Sequence, residues 1–343
     1  MLKALLRRIL ERLDAWFLPL FSANRYLASL YYLANPRFHR EHLGVVSGRV
    51  AFARREGGAS DPMLRRNIHR LEKGLLMQPR HPTFAADYIG ETVEAFLRAE
   101  RARKLDANEQ RWAHDVLLRY FDEVVDTAEI AAARRRFDPA ARSRPAQSWS
   151  PVASASRPSP AVPFEDFLKL CQRRRSIRWF LNQRVPQELI EQAVSAAAQA
   201  PSACNRQPFL YRLFTDPADA ARIAAIPMGT TGYAEQVPAL IVVLGDLSAF
   251  PHERDRHVPY IDASLATMQL MLALETLGLS SCPINWPDIE YLERRMQQAL
   301  ELPAYIRPVM LLAIGYADPA GGVAFSAKKP VAHLLRSDND YVD

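Results

Sequence analysis

Two stretches hold the residue types best suited to chemistry: Arg174-Arg175-Ser176-Ile177-Arg178 and Ala200-Pro201-Ser202-Ala203-Cys204-Asn205-Arg206-Gln207-Pro208. Three arginines and a serine at the end of an amphipathic segment make a receptor for phosphate, because guanidinium forks give bidentate, charge-assisted hydrogen bonds to phosphate oxygens. By itself the same cluster also reads as a helix end with solvated arginines. In the second stretch Ser202, Asn205 and Gln207 are neutral donors and acceptors held between Pro201 and Pro208, groups that can read hydroxyls and a heteroaromatic edge. Together the two stretches suggest a phosphorylated, ring-bearing ligand.

Other polar clusters carry less. His69, Glu72 and Lys73 share a helix face by their spacing, but one His and one Glu specify neither a metal nor an acid/base pair, so a hydrogen-bonded face is expected. In His252-Glu253-Arg254-Asp255-Arg256-His257 the arginines oppose a cation, and a mobile surface loop is expected. Cys171, Cys204 and Cys282 are odd in number and far apart, which fits neither a disulfide framework nor a zinc site. Cys204 and Cys282 have no adjacent histidine base, so packing is their expected role. No metal site is expected, and a reducing compartment fits best.

The elements that must position these groups follow from periodicity. Residues 1–135 read as an all-helical region. Leu2, Leu5, Leu6, Ile9, Leu10 and Leu13 recur at helical spacing opposite a basic face. Tyr26 to Leu33 is apolar and stops at Asn35-Pro36; Met63 to Leu76 follows, with Gly74 as a plausible end. Further helices are expected over Ala85 to Arg103 and Asn108 to Ala133. Residues 136–163 are rich in Pro, Ser and Ala without hydrophobic periodicity and read as a linker, which Trp149 could dock. From Phe164 the stripe Phe164, Phe167, Leu168, Cys171 leads into the arginine cluster. Another helix begins at Pro186 with Ile190, Ala193, Val194 and Ala197 inward and delivers the chain to Pro201. Strands are expected at Phe209 to Phe214, Ala239 to Leu244 and Val309 to Ile314, and Asp262 is expected to cap a helix through Leu277. Strands interleaved with helices make 164–343 an α/β or α+β domain. It contains no glycine-rich dinucleotide fingerprint and no Walker loop, so a phosphate site must be built from side chains.

Composition bounds the alternatives. A chain of 343 residues exceeds one typical domain, and 49% apolar with 24% charged residues is ordinary for a globular protein. Its net charge of +6 permits anionic partners, but no stacking aromatics interleave the basic runs, so nucleic acid is not expected. Arg7, Arg8, Glu11, Arg12 and Asp14 interrupt any signal-peptide core or membrane span in the first residues. Residues 1–22 could still make a peripheral membrane contact, with packing on their own domain as the alternative.

Residues 164 to about 335 resemble the FMN-dependent nitroreductase superfamily. The arginine motif, the helix 186–199, the Pro201 to Pro208 segment, the helix at Asp262, and Gly278-Leu279 followed by Cys282-Pro283-Ile284-Asn285 occur in that family's order and approximate spacing. The resemblance implies an α+β fold, a central β-sheet flanked by helices, built as a homodimer with FMN at the subunit interface. It implies that Arg174, Ser176 and Arg178, with Arg175 beside them, approach the phosphate and ribityl chain. Pro201, Ser202, Asn205 and Gln207 would line the ribityl and isoalloxazine side from either subunit. Pro283, Ile284 and Asn285 would run along the ring, with a backbone N–H near Asn285 aimed at flavin N5. Lys328 or Lys329 fits the place of a basic residue that closes the phosphate site.

The activity so implied is ping-pong hydride transfer from NADH or NADPH through flavin N5 to a small conjugated acceptor such as a quinone, nitro compound or enone. A flavin-linked dehydrogenase of a biosynthetic intermediate and a flavin-containing, membrane-peripheral interaction protein are the alternatives, and a cytoplasmic location is expected for the enzyme. Trp286 stands where many family members have a small glycine, and its bulk is expected to narrow the pocket over the ring. The helical N-terminal region lies outside the core resemblance and is similar to an extension of some longer nitroreductase-like proteins.

Overall fold

A computed structural model describes residues 16–55, 58–137, 148–335 and 337. Most of the amphipathic segment 1–22 therefore lies outside the described residues. Helix α1 (Arg25–Ala34) starts where the Asn24 side chain accepts the N–H groups of Tyr26 and Leu27, and it ends at Asn35-Pro36 as the sequence suggests. Helix α2 (His39–Ala53) has no single apolar stripe to announce it. It packs through Gly48, where a Cβ would sit 2.8 Å from the Leu247 carbonyl.

Four helices then build a core of their own. Asp61 caps α3 (Pro62–Leu75), Pro62 opens it, and Leu64, Ile68, Leu71 and Leu75 form its buried stripe. Gly74 is not the helix end. It lies inside the last turn with the Phe84 ring pressed on it, a Cβ there being 2.2 Å from a ring carbon. After α4 (Ile89–Ala102), the single helix expected over 108–133 is two: α5 (Ala107–Glu123) and α6 (Ala128–Phe137). The break follows from Val124, which turns extended, and from Val125, whose N–H donates to the Pro82 carbonyl at 2.8 Å. Phe96, Leu117, Tyr120, Ile130 and Phe137 complete this core.

Residues 148–163 contain no α-helix or strand. They are tied to α5: the Trp149 N–H donates to Asp115 Oδ2 at 2.9 Å, and the Arg111 guanidinium lies 4.6 Å from the indole centroid. Beyond them α7 (Phe164–Arg173) and α8 (Gln187–Ala197) precede a four-stranded antiparallel sheet of order β1-β2-β4-β3, made of β1 (Phe209–Phe214), β2 (Ala239–Asp246), β3 (Ser280–Asn285) and β4 (Ile306–Gly315). Strand β2 alternates between two cores. Leu240, Val242 and Leu244 face α9 (Pro217–Ala224) and α11 (Glu290–Leu300), while Ile241 and Val243 face α8 and α10 (Val258–Thr276). The fold is α+β.

Three elements escape the sequence reading. Strand β3 contains two serines and a proline, which a sheet tolerates at its edge, α9 is only 8 residues long and half alanine, and α11 is short and rich in charged and amide side chains. A further expectation is overturned: Asp262 does not cap α10, which begins four residues earlier. Its carboxylate, 4% exposed, reaches out of the helix to accept the Ala203 N–H at 2.9 Å.

Candidate flavin site

The arginine motif is positioned by edge pairing. Helix α7 ends at Arg173, and the chain then lies beside the start of β3: Ser176 pairs with Ser281, and the Ile177 N–H donates to the Ser281 carbonyl at 3.1 Å. Arg174, Arg175 and Ser176 are half-buried and Arg178 is exposed, with its guanidinium returning to the Ser176 carbonyl at 3.5 Å. Arg174 faces Glu275, whose pKa is raised by burial and held down by Arg173 and Arg174; Arg173 pairs with it at 3.2 Å.

Cys282 sits beneath the motif. Burial pushes its thiol up, opposed by Arg178, by hydrogen bonds with Tyr233 and Ser176, and by Arg174. The neighbouring Tyr233 is pushed up to about 12, by burial first and then by Cys282. A thiol that stays protonated packs rather than attacks. The buried Arg174 Nε and Ser281 Oγ have no partner among the described residues. Unused donors beside a cluster of cations fit an anionic, oxygen-rich group such as a phosphate.

The second stretch folds into a tight loop. Cys204, Asn205 and Gln207 have φ of 53°, 51° and 50°, left-handed backbone in residues other than glycine. The Ser202 hydroxyl accepts the Gln207 N–H at 3.1 Å, and buried Arg206 lies 4.6 Å from the Phe250 ring centroid. Gln207 is committed at both amide atoms, donating to the Ala198 carbonyl at 2.9 Å and accepting from Arg65 at 3.0 Å. The exposed Pro201, the Ser202 hydroxyl and the Asn205 amide are left to face a ligand.

Within one protomer these stretches do not converge. The arginine motif lies on the β3 edge at the Gly315 end of the sheet, while the loop precedes β1 on the opposite edge, where Phe209 pairs with Gly245. Three strand spacings, about 14 Å, separate the edges. Pro283, Ile284 and Asn285 close β3, with Ile284 buried and Asn285 exposed. Trp286 does not narrow a pocket over them. Its indole is 8% exposed in the sheet core, and its N–H donates to Glu293 Oε1 at 2.6 Å. Lys328 and Lys329 are exposed and make no ion pair among the described residues.

The remaining polar clusters are structural. His69 Nδ1 lies 3.6 Å from Glu72, which also accepts the Trp112 indole N–H at 3.0 Å, and no metal-binding group of His, Cys, Asp or Glu occurs among the described residues. The 252–257 segment is docked on α2 through Arg49–Glu253 at 3.3 Å and Arg256–Glu41 at 3.4 Å. It borders a groove of about 700 Å³ lined by Tyr32, Leu33, Phe38 and Val46, which includes no residue of the arginine motif, the 200–208 stretch or the 283–285 segment.

A model of the nitroreductase family matches residues 171–231 and 230–316. A putative NADH dehydrogenase/NAD(P)H nitroreductase of Archaeoglobus fulgidus is 32% identical over 157 residues, covering 44% of this chain and 86% of that protein. The chain belongs to the nitroreductase family. As a member it is an oxidoreductase. Thermus thermophilus NADH dehydrogenase is 28% identical over 191 residues, 47% of this chain and 91% of that protein. Human iodotyrosine deiodinase 1 is 25% identical over 202 residues, 50% of this chain and 68% of that protein. A solved nitroreductase-family protein of Streptococcus pneumoniae, 22% identical, aligns over 50% of this chain and 99% of its own with a TM-score of 0.44. The family match begins at 171, so the helices before it lie outside the family core. No described helix is long and apolar enough to cross a membrane.

Sequence reasoning misses Arg65, which holds the loop from 140 residues away, and gives Asp262 a capping role when it braces Ala203 instead; no local pattern announces contacts to partners that remote.

Proposed function

We propose that the chain is an FMN-dependent NAD(P)H oxidoreductase of nitroreductase type, working as a homodimer on a small conjugated acceptor such as a quinone, nitro compound or enone. The observation that carries this is the buried, unpartnered Arg174 Nε and Ser281 Oγ beside Arg175, Ser176 and Arg178, a donor set suited to the FMN phosphate. When bound, the flavin supplies the hydride chemistry, taking hydride from a nicotinamide and passing it to the acceptor. The chain's own residues bind and orient. Arg174, Arg175, Ser176 and Arg178 neutralise phosphate, and exposed Lys328 or Lys329 adds charge from the C-terminal segment. Pro283, Ile284 and Asn285 form a wall on an edge strand, whose outward-facing backbone groups can meet a ring acceptor, with Asn285 supplying the N–H that Pro283 lacks.

The separation of the two stretches supports a second protomer, in which Pro201, Ser202 and Asn205 reach the ligand of the opposite subunit. Exposed apolar side chains on α10 (Ile261, Leu265, Met268) and in the C-terminal segment (Phe325, Leu334, Leu335) are the surface such a dimer would cover. Free Cys171, Cys204 and Cys282 suit a cytoplasmic protein.

The test is purification and anaerobic titration. A yellow protein bleached by NADH or NADPH is expected; a colourless one that takes up no added FMN would sink the proposal. The 202-residue match to a deiodinase favours one further reading, reductive dehalogenation of an aromatic substrate. Reoxidation of the reduced protein by a halotyrosine, with halide release, would select it over quinone or nitro reduction.

A further inference from the structure

The loop 203–207 carries three non-glycine residues in left-handed backbone, a conformation costing about 1–2 kcal/mol per residue and kept only where surrounding contacts over-determine it. Some of those contacts come from its own domain: Asp262 Oδ2 accepts the Ala203 N–H at 2.9 Å, and Gln207 donates to the Ala198 carbonyl at 2.9 Å. Two come from outside it. Arg65, on α3 of the helical region, donates from Nε to the Asn205 carbonyl at 2.7 Å and from its terminal nitrogen to Gln207 Oε1 at 3.0 Å. Both acceptors belong to left-handed residues.

Arg65 is itself fixed. Its other terminal nitrogen pairs at 2.8 Å with Glu109 Oε2, a carboxylate 3% exposed that also accepts from the Ser60 hydroxyl at 2.7 Å and the Asp61 N–H at 2.9 Å. Its guanidinium carbon lies 5.3 Å from the Trp112 ring centroid. All three nitrogens are used, two on the loop and one on the helical core. A planar fork can span such a set, whereas a lysine ammonium, a single point charge, cannot.

We propose that Arg65 is a positioning residue of the flavin site: the N-terminal helical region, through Arg65, holds the 203–207 loop in the backbone conformation that presents Ser202 and Asn205 to the cofactor. This rests on the FMN reading above. It gives the region outside the family core a function in cofactor retention, exerted on backbone and not by contact with the flavin.

The full-length protein tests it with three variants. Arg65→Met removes every donor while keeping the apolar stem. Arg65→Lys keeps the charge beside Glu109, so the helical core stays folded even where Met is not tolerated. Arg49→Gln breaks another arginine contact between the regions, at Pro251 and Glu253, away from the loop. Arg65→Met is expected to raise the FMN dissociation constant about tenfold, the loss of roughly one net hydrogen bond's worth of ordering. It should also alter the visible circular dichroism of bound flavin and speed amide exchange at 203–207 in the flavin-free protein. Arg65→Lys should shift all three in the same direction by less, and Arg49→Gln should shift none. Unchanged amide exchange at 203–207 in both Arg65 variants overturns the proposal, as does an equal loss of FMN affinity in Arg49→Gln, which would mean general docking. The exchange readout needs no cofactor: loop loosening in a protein that takes up no FMN would sink the FMN reading and, with it, the cofactor role assigned to Arg65, leaving only a brace on the loop.

Discussion

Helices α3 to α6 and the sheet region answer the burial problem separately, and arginines carry most of the polar contacts that tie the N-terminal helices to the sheet region. The first closes a core around Leu71, Phe96 and Phe137; the second closes two cores on the faces of β2. Between the N-terminal helices and the sheet region the described polar contacts are mostly arginine contacts. Arg40 reaches Glu293, Arg49 reaches Glu253, Arg55 donates to the Ser248 hydroxyl, Arg65 holds the loop, and Arg256 answers from the other side at Glu41. Apolar cores give cohesion that is indifferent to small shifts in angle, whereas hydrogen-bonded guanidinium forks fix a register. A seam of this kind suits a region whose task is placement.

The sharpest way to break the contrast is at Glu293, where charge penetrates the sheet core. Its carboxylate, 1% exposed, faces Arg307 and Arg40, each at 3.3 Å, and accepts the Trp286 indole N–H. Burial works against the Arg307 charge, but Tyr260, Glu293 and Asp288 outweigh it and raise its pKa. Glu293→Ala leaves that cation buried and is expected to destabilise the sheet region by about 3–5 kcal/mol in denaturant unfolding. A loss below 1 kcal/mol would show the network to be dispensable. Leu71→Ala, in the other core, should cost about 2–5 kcal/mol and produce an early transition in which the helical region unfolds while the sheet persists. A single coincident transition would instead make the two regions one cooperative unit.

Smaller effects sharpen the contrast at the site. Replacing Arg174 and Arg178 together with Ala should weaken FMN binding by about a hundredfold or more, since hydrogen bonds to charged groups contribute roughly 1.5–3 kcal/mol each, with the far-ultraviolet spectrum unchanged. Unchanged FMN affinity would remove the motif from the site. Asp262 gives the smallest effect. Its pKa is raised by burial, opposed by the Ala203 N–H and Arg206. A carboxyl raised in the fold binds more protons folded than unfolded just above the ordinary carboxylate range, so its contribution favours the fold as pH falls through that window and is lost as pH rises. Asp262→Asn keeps an acceptor for Ala203 and should flatten that part of the stability profile; an unchanged slope would show that Asp262 carries none of it.

Much of this was legible in advance, and what was not has a common cause. Asn35-Pro36 announced the end of α1 because a stop signal is local, and the unbroken apolar run Ala239 to Leu244 announced β2, whose two faces are both buried. Strand β3 stayed hidden because an edge strand can carry Ser280, Ser281 and Pro283 without cost to the ladder. The break at Val124 was missed because its decisive contact is the Pro82 carbonyl, far back in the chain.

The sequence by itself determined most of the helices, three of the four strands, the family, and the residue types gathered in the two site stretches, since periodicity and motif order are properties of neighbours along the chain. Only the tertiary structure decided where those stretches lie. It put them on opposite sheet edges, turned Trp286 inward to Glu293, made Asp262 a brace, and set Arg65 against the loop. Each of these depends on which surfaces meet when the cores close, and a hydrogen bond between residues remote in sequence leaves no periodic trace along the chain.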